Sequence, residues 1–145
     1  MATKFTFPKR YDENEAKEGV WFSVYDENDN HWGTYKMALF NITAPHVKAQ
    51  ISAWNRKHKK EIETRQFKGN EGIIRAFVDI ALLDWKDMDN LNGGKAFSFS
   101  KQTAYDLLSN EDAAFLSEML IDFAGNVRNF TGVDPEADQE DDAKN

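Results

Sequence analysis

The chain has no cysteine, only 3 prolines and 8 glycines, and no apolar run that approaches the length of a membrane span. Without cysteine there are no disulfides, no thiolate metal ligands and no cysteine nucleophile. A spanning helix needs about 18 or more consecutive apolar residues, so none is expected here. The first ten residues, MATKFTFPKR, contain no signal-peptide core. The expectation is a protein free of membranes in a reducing cytoplasm. Catalytic groups in a recognisable spacing are also scarce.

Aromatic residues are abundant, with Phe 11, Trp 4 and Tyr 4 in 145 residues, and charged residues make up 30%. Such a chain can bury a sizeable core under a well-solvated surface. The net charge is −7, unevenly distributed: from Asp134 onward six acidic residues face one lysine. This balance argues against sequence-independent nucleic-acid binding, which depends on Lys and Arg neutralising phosphates.

The pattern of residues predicts a mainly α, α+β fold in one domain over residues 1–133. Residues 1–18 read as an arm, with Phe5 and Phe7 alternating before Pro8 and a charged stretch from Asp12 to Glu18. Gly19–Tyr25 and Thr34–Ile42 read as a β-hairpin around the turn formers of residues 26–33. Residues 43–130 read as four to five helices. Thr43 before Pro45 predicts a helix start, and Val47, Ile51 and Trp54 supply a stripe widened by Ala49 and Ala53. A second helix from Glu71 to about Trp85 is apolar on nearly every side and is expected to be central. Ser98 or Ser100 caps a short helix, and Ser109 or Asn110 a longer one closed near Phe130. From residue 134 to 145 a disordered acidic tail is expected.

Candidate chemistry fails on spacing. Asp26, Asn28 and Asn30 match three calcium-loop positions, but the sixth and twelfth positions hold His31 and Met37 instead of Gly and Glu. An Asx-rich hairpin turn is the better reading. Asp87 and Asp89 are followed by Leu91, and no pair among His31, His46 and His58 has ligand spacing on a helix. Gly93-Gly94-Lys95 lacks the upstream Gly and downstream Ser or Thr of a phosphate loop. Ser98 and Ser100 have no nucleophile elbow. Neither an enzyme nor a cofactor protein is expected.

The binding candidates are surface features. Arg56, Lys57, Lys59 and Lys60 form the densest basic run, within a wider basic segment from Lys48 to Lys68. A solvated helix face, an acidic protein partner or nucleic acid would each account for it. Trp21, Trp54 and Trp85 read as core anchors, whereas Trp32, in a polar loop, is the candidate interface aromatic.

One ordered set of motifs adds to this. A helix ending at Asp84-Trp85 is followed by Lys86-Asp87-Met88-Asp89 and Gly93-Gly94-Lys95, then Phe97-Ser98-Phe99-Ser100, then Ala104-Tyr105-Asp106-Leu107-Leu108, then a helix ending Ala124-Gly125-Asn126-Val127-Arg128-Asn129-Phe130. In that order, and with Glu18–Asp26 and Lys36–Phe40 upstream, the chain resembles the tail assembly chaperones of long-tailed bacteriophages over about three-quarters of its length. The resemblance implies a mostly helical, non-enzymatic, self-associating protein of the host bacterial cytoplasm, absent from the mature virion. It would bind the tape measure protein and keep it soluble while the tail tube polymerises around it. Many members also have a longer frameshifted form that engages the tail tube protein. Ala143-Lys144-Asn145 can be encoded by the slippery run A AAA AAC, as expected of the shorter product. A small nucleic-acid-associated or regulatory protein, and another minor tail or head–tail joining protein, are the alternative readings.

Overall fold

The computed structural model describes residues 3–132. The acidic tail expected from residue 134 lies outside the described residues. Six α-helices and three strands follow in the order α1 (Glu13–Glu18), β1 (Val20–Tyr25), β2 (His31–Met37), α2 (Pro45–Lys57), α3 (Lys59–Glu63), α4 (Glu71–Ile80), β3 (Leu82–Lys86), α5 (Lys101–Leu108) and α6 (Ala114–Gly125). The fold is α+β, with a β-hairpin extended to a three-stranded antiparallel sheet of order β1-β2-β3.

The hairpin forms where expected, but with a shorter loop and a shifted second strand. Asp26 explains the tight turn. Its carboxylate accepts from the backbone N–H of Asn28 and Asn30, the Asn30 amide and the Trp32 indole N–H, at 2.9 to 3.1 Å. The chain therefore reverses at once, Tyr25 pairs with His31, and Trp32 lies on strand β2 instead of in a loop. The far end of β2 stops at Met37 because the next three backbone N–H groups leave the sheet. Ala38 donates to Ala81 O, Leu39 to Ala16 O and Phe40 to Ala124 O, each at 2.8 Å. Three successive residues thereby tie β2 to three other parts of the chain.

The segment Glu71 to Trp85 is not one helix. Helix α4 ends at Ile80, and Leu82–Lys86 pairs with β2 as strand β3. The apolar spacing of Leu82 and Trp85 fits a helix, but β2 offers an open edge, and pairing with it satisfies the backbone while a bulge keeps both side chains buried. Lys101 secures the junction by donating its ammonium to Val78 O and Leu82 O at 2.7 and 2.5 Å. That cation sits at the negative end of α4. Burial of the ammonium lowers its pKa, and Asp79 partly restores it.

The remaining corrections are local. Helix α2 has Ala44 at its N-cap, with no side-chain cap. Thr43 Oγ1 instead donates to Asn41 Oδ1. Ala49 and Ala53 are exposed, so they do not widen the buried stripe. Residues 1–18 are not wholly an arm, because Asp12 caps α1 and its Ala16 is fully buried with Leu39, Val47 and Phe130. Residues 3–10 are exposed coil, tied to the body at Arg10 by its hydrogen bond to Thr43 Oγ1. Ser100 caps α5, and Asn110 caps the short turn of 3-10 helix that leads into α6.

The larger core lies between the sheet and α4 to α6. Val24, Tyr35, Met37, Phe77, Leu82 and Trp85 meet Leu108, Leu116 and Leu120 there. Trp85 donates its indole N–H to Phe97 O at 2.9 Å and stands edge-on to Phe97 and Phe99. The Phe-Ser-Phe-Ser step is thus a clasp over this tryptophan. A second cluster joins Ala16, Leu39, Ala44, Val47 and Phe130, and Phe40 and Phe123 pack against both clusters.

Candidate functional site

Helices α2, α3 and α4 do not close on one another. They leave an apolar groove of about 660 Å³ lined by Phe40, Ile42, Ile51, Trp54, Asn55, Ile62, Arg65, Phe67, Gly72, Ile73 and Ala76. Asn55 and Arg65 are its only polar lining side chains. The volume lies within the range of specific binding sites, roughly 300–1,000 Å³.

Each wall follows from local sequence. On α2, Val47 turns inward, Ile51 is half-buried at the groove, and Trp54 forms the floor. The Trp54 indole donates to Asp79 Oδ2 on α4 at 2.9 Å. His58 stacks on Trp54 with ring centroids 4.2 Å apart, and Phe67 closes the aromatic group at 5.8 Å from Trp54. His58 Nε2 is buried without a hydrogen bond, 4.0 Å from Asp79 Oδ2. Arg75 reaches the same carboxylate at 3.6 Å. These contacts bind α2, the start of α3 and α4 into one frame. On α4, Ile73 and Ile74 are adjacent and so cannot share a face. Ile74 is buried, while Ile73 is 51% exposed on the rim.

The rim is the unusual part. Seven large apolar side chains are exposed among the described residues: Phe5, Phe7, Trp21, Tyr25, Ile42, Ile62 and Ile73. The three isoleucines all line this groove. Single exposed apolar residues are ordinary, whereas clustering around a concavity marks an interaction site.

The basic run lies beside it. Arg56 and Lys57 occupy the last turn of α2, where they complement the helix dipole, and Lys59 and Lys60 open α3. All four are exposed. Lys59 pairs with Glu63 at 3.8 Å, a contact worth little at such exposure. Trp32 is not brought to this site. It is half-buried, its indole N–H is engaged by Asp26, and its ring stands edge-on to Phe115 of α6 at 5.3 Å. The exposed tryptophan is Trp21, with the Lys86 ammonium 4.4 Å over its ring.

Sequence reasoning missed Ile42, Ile62 and Ile73. A signal existed for two of them: Ile62 sits between Glu61 and Glu63, and Ile73 belongs to an adjacent pair of which a helix can bury only one. Ile42 followed a segment read as strand and carried no such signal.

The Asp26 cluster is a satisfied turn, and its carboxylate pKa is held at about 2, chiefly by the Trp32 indole hydrogen bond. Among the described residues no three His, Asp or Glu side chains gather as a metal-holding group, and no helix is long and apolar enough to cross a membrane. A scan of protein-family models and searches of curated proteins and of solved structures return no match for this chain.

Proposed function

We propose that this protein is a non-enzymatic tail assembly chaperone whose α2–α4 groove holds an apolar segment of the tape measure protein of a long-tailed bacteriophage. The observation that supports this reading is the groove itself, rimmed by Ile42, Ile62 and Ile73. An amphipathic client helix can lay its apolar stripe into such a concavity. The net charge of −7 keeps loaded complexes apart in solution. The client is released into the growing tail, so the chaperone remains in the host bacterial cytoplasm and is absent from finished particles. A longer frameshifted product supplies the contact to the tail tube protein.

Co-expression with the tape measure protein is the test. The wild-type chain should keep that client soluble and co-purify with it. The double variant I62D/I73D, altered only at exposed positions, should keep its circular dichroism spectrum and lose capture by at least about tenfold. A client that stays insoluble beside the wild-type chain, or that the groove variant captures equally well, would sink the reading.

A further inference from the structure

The same chain presents an unfilled apolar groove and an unhoused apolar plug. Phe5 and Phe7 are 72% and 78% exposed, stacked on each other with centroids 6.1 Å apart. Alternate residues of an extended chain share a face, so both rings point the same way. No residue of this arm lines the groove of its own molecule.

We infer that the N-terminal arm of one copy seats Phe5 and Phe7 in the α2–α4 groove of a second copy. Two observations favour exchange over folding back. The arm is held at its root, where Arg10 donates to Thr43 Oγ1 at 3.2 Å. Pro8 fixes its own φ, and the residue before a proline is biased to extended backbone, so the chain at Phe7-Pro8 resists reversal.

The contact is head-to-tail, since arm and groove are different surfaces, and each copy carries both halves. Where the groove also takes a client, which rests on the function proposed above, arm and client exclude each other.

The test needs no client, so its failure is separable from failure of the chaperone reading. Sedimentation of the full chain over a concentration series should show self-association. F5S/F7S and I62D/I73D should each weaken it by about a hundredfold, the loss expected from removing two apolar anchors. The decisive step is mixing the two variants. One retains an intact groove and the other an intact arm, so together they should form a complex that neither forms alone. A wild-type chain that stays monomeric overturns the inference, and a monomer whose arm is protected from proteolysis by its own groove does so by showing closure within one chain. Association that persists in either variant, or a mixture of two folded variants that forms no complex, overturns it as well.

Discussion

Asp26 shows how one side chain sets a local structure. Its carboxylate takes four donors, and the hairpin turn, the start of β2 and the position of Trp32 all follow. The folded pKa, about 2, lies below the ordinary 3.8. The group therefore contributes stability above about pH 4, and that contribution is lost as pH falls towards 2. The melting-temperature deficit of Asp26→Asn should be largest near neutrality and shrink as pH drops from 4 to 2; a deficit that does not change with pH would count against this account. Lys101 works through the backbone. Lys101→Met removes that donor from the carbonyls of Val78 and Leu82, and chemical denaturation should show a loss of about 1–2 kcal/mol. Gly33 is constrained in another way. Its φ is +101°, and an added Cβ would lie 2.3 Å from Met88 Sδ. Gly33→Ala should cost about 2–4 kcal/mol in the same assay, combining backbone strain with overpacking.

At the scale of elements, the capping and turn chemistry proved legible at α5, at the entry to α6 and in the hairpin, but not at α2, where Thr43 does not cap. Ser100 and Asn110 cap as their residue types imply, and the run of turn formers around Asp26 does make a hairpin turn. Strand β3 was not legible, because Leu82 and Trp85 sit at a spacing that a helix would also bury, and only the unpaired edge of β2 decides between them. Helix α4 was expected to be apolar on nearly every side, yet Ile73 faces outward and makes the element two-sided. The candidate site was half legible for a similar reason. The basic residues Arg56, Lys57, Lys59 and Lys60 announce themselves by charge and are exposed as such residues usually are. The isoleucines beside them look like core residues, and their exposure follows from how α2, α3 and α4 splay apart.

At the scale of the whole molecule, two apolar clusters share Phe40 and Phe123. Phe22 stacks on Phe123 at 4.2 Å, Phe123 meets Phe130 at 6.1 Å, and Phe40 meets Phe77 at 5.7 Å. These rings couple the sheet to the α1–α2 side, so unfolding should be a single transition by tryptophan fluorescence and by circular dichroism. Phe123→Ala should remove about 3 kcal/mol and separate the two probes. Coincident transitions in that variant would show that the clusters are coupled elsewhere, with the three N–H bonds of Ala38, Leu39 and Phe40 the next candidates.

By itself the sequence determined the fold class of this protein: aromatic density demands a core, and turn and capping residues mark several of the element ends. Those properties are local, or depend on composition, and so can be read along the chain. Tertiary structure alone decided that β2 recruits a third strand from forty-five residues downstream of Met37 to Leu82, that Trp21 is exposed instead of Trp32, and that three isoleucines rim an open groove. Each of these depends on which surface another part of the chain leaves uncovered, and burial is a property of that arrangement that no single segment carries.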